Sequence, residues 1–208
     1  TQGQTTRSRV VVYDAGDGLF ASRLWWMLRW LGHEPVSVLD GGWQAWLDEG
    51  GEIETGMRNP ALTEAQAVQG LALSGKPSMP SVDVDDMLAN LDQARFTVVD
   101  ARAAERYRGE VERLDPAAGH IPGALNRPYR GNLQADGRFK PADILRTEFQ
   151  ALLGDRPAPD VVHQCGSGIS ACHNLFAMEL AGLQGSALYP GSWSEWCSDP
   201  SRPVASAS

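Results

Sequence analysis

The sequence predicts an α/β protein: a parallel sheet flanked by helices, with one complete C-terminal unit and a partial N-terminal copy of it. Three observations lead there. Ala21–Trp46 and Ala171–Trp196 match at a constant offset of 150 residues. Each copy is preceded by a short β-branched run, Val10-Val11-Val12 or Val161-Val162, that runs into a Gly-rich turn. Each then carries a helical stretch followed by a second short strand, and strand–helix–strand closes right-handed into a parallel pair.

The elements follow in order. Strands are expected at Val10–Tyr13 and Val161–Gln164, now offset by 151, so the first loop is one residue longer and Asp14 falls where the second copy has Cys165. Helices are expected over Phe20–Leu31 and Ser170–Ala181, each stopped by a glycine, Gly32 or Gly182, at the position where helices often end. Second strands come at Val36–Leu39 and Ala187–Tyr189, followed by Gly41-Gly42-Trp43 and Gly191-Ser192-Trp193. The second copy has more ahead of it. Phe96–Val99 reads as a strand leading into Asp100-Ala101-Arg102, then a charged helix-like stretch, then the turn Gly119-His120-Ile121-Pro122-Gly123-Ala124. From Val98 to Val161 is 63 residues, whereas only 9 precede Val10, so the first copy is expected to lack roughly its first half. Val82–Leu91 reads as the opening helix of the second unit, with Asp83 or Asp85 as N-cap. The organisation is then a partial copy over 1–57, a Gly/Pro-rich linker over 58–81, a complete unit over 82–200 and a frayed tail over 201–208.

Composition narrows the function. A net charge of −8 argues against a nucleic-acid partner, which needs a basic face. The cations are 16 Arg and only 2 Lys, and arginine suits small oxyanions and carboxylates. No apolar run is long enough to span a membrane, and Thr1–Arg9 lacks a signal-peptide core, so a cytoplasmic protein is expected. Three cysteines, Cys165, Cys172 and Cys197, form neither a paired framework nor zinc-finger spacing, so no metal is expected. One reactive thiol fits better.

That thiol is Cys165. A strand ends there, a Gly166-Ser167-Gly168 turn follows and a helix begins. Backbone N–H groups of such a turn form an anion-binding nest, and the helix start adds partial positive charge. Both favour the thiolate, which is the nucleophilic form. His163 lies two residues earlier on the same strand face, where a packed histidine is the better reading than a base. His120 reads as a turn-stabilising donor, Cys172 as helix packing rather than a redox partner, and Arg102 as a brace for its loop. Trp25, Trp26, Trp43, Trp193 and Trp196 read as core or interface aromatics.

With these segments in view, the chain resembles the rhodanese family of sulfurtransferases. The likeness is carried by Asp100-Ala101-Arg102, Gly119–Ala124, the Cys165–Ser170 loop and Tyr189-Pro190-Gly191-Ser192-Trp193, with Tyr13–Gly18 and Leu39–Trp43 in the first copy. The resemblance implies a rhodanese-like tandem fold with an inactive N-terminal and an active C-terminal domain. Asp14 agrees, since a carboxylate cannot carry sulfur. The loop Cys165-Gly166-Ser167-Gly168-Ile169-Ser170 is similar to that of 3-mercaptopyruvate sulfurtransferases, where thiosulfate sulfurtransferases have two cations. The resemblance implies Cys165 as nucleophile, Ser167 as a proton relay, and substrate binding by Gly166, Gly168, Ile169 and Ser170. It implies Arg106 and Arg113 as carboxylate-binding arginines, with a bidentate contact expected. Asp14, Asp17 and Arg23 are expected to line the cleft from the N-terminal side. The implied partners are a small anionic sulfur donor and a thiol, cyanide or thioredoxin-like acceptor, with no cofactor. The resemblance also implies an acid and a histidine from the first half of the N-terminal domain, to which no residue here corresponds.

Three rivals are weighed. A Cys-dependent phosphatase needs an arginine six residues after the cysteine, and Ala171 stands there. Thiosulfate as main donor is disfavoured by the neutral loop. A crippled, non-catalytic binding domain is the third, and the shortened first copy favours it.

Overall fold

The computed structural model describes residues 9–56 and 77–206. Two parallel sheets organise it. The first pairs β1 (Val10–Val12) with β2 (Val36–Val38) in the register Val10–Val36, Val11–Ser37 and Val12–Val38. The crossover is α1 (Leu19–Trp30), and α2 (Gly42–Asp48) follows β2. The second sheet has the order β4-β3-β5-β6, built from β3 (Thr97–Asp100), β4 (Leu125–Asn126), β5 (Val161–Gln164) and β6 (Ala187–Leu188), all parallel. Its helices are α3 (Val84–Gln93), the short α4 (Ala104–Tyr107), α5 (Ala142–Leu153), α6 (Ile169–Leu180) and α7 (Ser192–Trp196).

The fold class is therefore as the repeat predicts. The repeat helices start one residue earlier than expected, at Leu19 and Ile169, because Gly18 and Gly168 both take left-handed N-cap conformations that turn the chain straight into the helix. The opening helix starts at Val84. Asp83 caps it by accepting the N–H groups of Asp85 and Asp86, while Asp86 reaches back to the Asp83 N–H.

Strand β5 is buried along its whole length, as the central strand of a sheet covered on both faces must be. One core cluster joins the two copies: Trp25 and Trp26 of α1 pack with Ala171, Cys172 and Leu175 of α6. A second gathers Met87, Val98, Ile121, Tyr189, Trp193 and Trp196 on one face of the larger sheet. The tryptophan reading holds for those four residues, and Trp43 is half-buried, stacked on Tyr13.

Two boundaries need correcting. The linker expected over 58–81 lies mostly outside the described residues, but its end is part of the sheet. Leu188 N–H donates to Pro80 O and Val82 N–H to Leu188 O, which satisfies the edge of β6. The tail expected to fray is docked as far as Ser206 is described. His120 and Ala205 exchange both backbone hydrogen bonds, and Trp196 Nε1 donates to Pro203 O at 2.9 Å.

Candidate active site

Cys165 sits at the C-terminal end of β5, where ligands of parallel sheets bind. It opens onto a cavity of about 340 Å³ lined by Gly166, Ser167, Ile169 and Ser170 of its own loop. Ala101, Arg102, Ala103 and Arg106 line it from the β3 side, with Leu114, Asp115, Tyr129 and Ser194. Leu19 and Phe20 come from the first copy.

The loop is held from behind. Trp193 N–H donates to Cys165 O and Ser194 N–H to Gly166 O, both at 2.9 Å. Ser192 is buried with φ 55, a left-handed conformation unusual for a non-glycine residue. Its hydroxyl accepts the Cys165 N–H at 3.1 Å and donates to Tyr189 O at 2.9 Å. Sequence reasoning missed Ser192, although the repeat signals it: its counterpart Gly42 has φ 59. Gly168 stands outside the cavity lining, and the backbone there has a steric reason for glycine. Its φ is +78, and a Cβ there would lie 2.6 Å from Pro190 O.

The first copy shows what such a loop does with an anion. Trp43 N–H donates to Asp14 O just as Trp193 N–H donates to Cys165 O, so Asp14 is the structural counterpart of Cys165. Its carboxylate accepts the N–H groups of Gly16, Gly18, Phe20 and Ala21 at 3.0, 3.1, 2.9 and 3.0 Å. Burial works to raise its pKa, but those four donors outweigh it and hold it below the ordinary aspartate value. The corresponding turn in the second copy, one residue shorter, carries a thiol at this position and opens α6 through the left-handed Gly168.

Asp14, Asp17 and Arg23 do not themselves line the cavity; each acts one step back. Asp14 caps the helix that delivers Leu19 and Phe20. Asp17 Oδ2 accepts the Tyr129 hydroxyl at 3.0 Å, and Asp17 O meets His173 Nε2 at 3.1 Å. Arg23 donates to Gly168 O and lies 3.6 Å from Cys172 Sγ. Cys172 is buried and its Sγ donates to Gly168 O at 3.2 Å, which fits a packing role, and burial pushes its thiol up to about 12, with Arg23 opposing. His163 is likewise packed: it lies against Met178 Sδ at 3.0 Å, and burial lowers it to about 3. His120 Nδ1 meets Tyr107 O at 2.7 Å, which fits the turn-stabilising role. Arg102 grips Asp100 through Nε and Nη2 and donates to Gly119 O, bracing its loop as expected.

The two candidate arginines part company. Arg106 lines the cavity, with Nη1 3.6 Å from where a Gly166 Cβ would stand. Arg113 is exposed and lines no part of it. The bidentate expectation also needs correction. Arg106 Nε and Nη2 are taken by Glu112 at 2.9–3.3 Å, and Nη2 also donates to Asp115 at 3.0 Å. Burial works to raise the Glu112 pKa, but the N–H groups of Leu114 and Asp115 and the Arg106 guanidinium keep it low. Glu112 and Asp115 are the second omission, because a stretch such as Glu110–Asp115 reads as solvated charge.

A family model, Rhodanese-like domain, matches residues 2–49 and 83–199. The chain belongs to the rhodanese family. Among curated proteins it is 47% identical over 199 residues to the Probable 3-mercaptopyruvate sulfurtransferase of Pseudomonas aeruginosa, covering 95% of this chain and 68% of that one. It is 39% identical to the 3-mercaptopyruvate sulfurtransferase of Homo sapiens, covering 93% and 64%, and 37% identical to the Thiosulfate sulfurtransferase of Bos taurus, with the same coverage. The crystal structure of YnjE superposes with a TM-score of 0.82 at 25% identity, covering 96% of this chain and 49% of that one. The anaerobic ergothioneine biosynthesis enzyme from Chlorobium limicola gives 0.76 at 25%, covering 98% and 52%. The chain thus spans about two thirds of the curated relatives and half of these solved chains.

Proposed function

We propose that the chain is a sulfurtransferase that takes a sulfane sulfur from 3-mercaptopyruvate and passes it to a thiol or cyanide through a Cys165 persulfide. The observation that carries this reading is the paired loops. The turn after the strand binds a carboxylate through four N–H groups in the first copy, and the corresponding turn in the second, one residue shorter, follows a cysteine that faces a cavity. The names of the relatives support it.

In this reading the Cys165 thiolate attacks the donor sulfur. The carbon–sulfur bond breaks, the electron pair leaves with carbon as pyruvate enolate, and the enolate takes up a proton to give pyruvate. Ser167, exposed in the loop and lining the cavity, relays that proton in this reading. Cys165 is left as a persulfide cradled by the loop N–H groups. An acceptor thiolate or cyanide then attacks the outer sulfur and frees the Cys165 thiolate. Arg106 holds the donor carboxylate end-on through Nη1, with Gly166, Ile169 and Ser170 forming the floor. The tandem organisation and the inactive first copy belong to the same proposal. Three free thiols suit a reducing compartment such as the cytoplasm, and no helix among the described residues is long and apolar enough to cross a membrane.

Thiosulfate is the weaker donor here. The loop carries no cation, and the wall beside it sets Asp100, Glu112 and Asp115 against Arg102 and Arg106. A thiocyanate assay with cyanide as acceptor tests this: kcat/KM for mercaptopyruvate should exceed that for thiosulfate. A preference for thiosulfate overturns the donor assignment, and activity with neither donor overturns the reading.

A further inference from the structure

We propose that Asp115 is a specificity-determining residue: a built-in competitor for the anion site at Arg106 that admits singly charged donors and resists doubly charged ones. The proposal rests on the sulfurtransferase reading for its donors, but the geometry stands apart from it. The two carboxylates on Arg106 are held differently. Glu112 is tied into the backbone, accepting the N–H groups of Arg113, Leu114 and Asp115 at 2.9, 2.9 and 3.2 Å, and it lies 3.8 Å from Arg102. Among the described residues, the Asp115 carboxylate has one partner, Arg106 Nη2 at 3.0 Å. It also lines the Cys165 cavity, which Glu112 does not.

Asp115 therefore occupies, inside the cavity, a donor that an incoming anion would use. An anion reaching Arg106 must share Nη2 with both Glu112 and Asp115 or settle for Nη1, which faces Gly166. It also meets the Asp115 charge at close range. Repulsion scales with the product of charges, so a dianion is penalised about twice as heavily as a monoanion in free energy. Removing the Asp115 charge while keeping its shape should lift that penalty.

The test compares the protein with Asp115→Asn and Asp115→Ser. Cys165 is alkylated with iodoacetate, which is anionic, and with iodoacetamide, which is neutral and similar in size. Peptide mapping reads the rate at Cys165 alone. The iodoacetate-to-iodoacetamide rate ratio should rise about three- to tenfold in both variants, as expected for removing one charge at partly solvated range. Iodoacetamide rates should stay within about twofold of the parent. In steady state, KM for thiosulfate should fall more than KM for mercaptopyruvate. An unchanged or lower alkylation ratio overturns the proposal. So does loss of the native circular dichroism spectrum in both variants, which would make Asp115 a structural prop. If the parent takes sulfur from neither donor, the sulfurtransferase reading fails, and the alkylation ratio still decides the role of Asp115.

Discussion

Replacing Asp14 with alanine should destabilise the protein although Asp14 lies outside the cavity. Its carboxylate accepts four N–H groups at 2.9–3.1 Å, two of them at the start of α1. Loss of an N-cap side chain costs about 1–2 kcal/mol. Loss of negative charge at a helix start adds about 0.3–1 kcal/mol. The expected cost is about 1.5–3 kcal/mol, and in a protein of this size about 3–10 °C of melting temperature. Asp14→Asn keeps one acceptor oxygen but no charge and should fall between. The pH dependence follows from the lowered pKa. The folded protein holds Asp14 ionised below the ordinary aspartate value, so this stability is present above about pH 4 and is lost as pH falls through the lower folded value. The stability gap between the parent and the Asp14→Asn variant should therefore be full at pH 6 and narrow in acid. Urea unfolding at several pH values measures both effects. A cost below about 0.5 kcal/mol for the alanine variant, or a gap that does not narrow in acid, refutes the view of this loop as an anion nest.

Other outcomes follow from the same geometry. Gly168→Ala places a Cβ 2.6 Å from Pro190 O at φ +78, so it should cost on the order of 2–4 kcal/mol and displace Cys165, read as a lower melting temperature with reduced persulfide formation. Ser192→Ala leaves the left-handed backbone in place and removes the hydroxyl between Cys165 N–H and Tyr189 O; it should lose about 1–3 kcal/mol in denaturant titration. Arg106→Ala should lower kcat/KM for an anionic donor by about tenfold or more, whereas Arg113→Ala should stay within about twofold, since Arg113 is exposed and away from the cavity.

The parts of this fold that were legible in the sequence are those fixed by local chemistry. Gly18 and Gly168 set the helix starts, Asp83 sets a cap, and the offset between copies aligns Asp14 with Cys165. The nucleophile's loop could be read because a glycine turn between strand and helix is a short-range pattern. What stayed hidden depends on pairing across space. Glu112 and Asp115 look like surface charge until the chain folds them onto Arg106 and Arg102. The end of the chain looks like a tail until Ala205 meets His120 and Pro203 meets Trp196. The resemblance points to Arg113 as well as Arg106, but a resemblance in sequence does not say which way a loop side chain faces. Asp14, Asp17 and Arg23 stand one contact behind the cavity, because the first copy reaches it through apolar Leu19 and Phe20.

The central claim is that Cys165 carries sulfur. Incubating the protein with mercaptopyruvate without an acceptor, then measuring intact mass and mapping peptides, tests it directly. One added sulfur on the peptide containing Cys165, removed by cyanide and absent from Cys165→Ser, is the predicted result. No adduct, or an adduct on Cys172 or Cys197 instead, would contradict it.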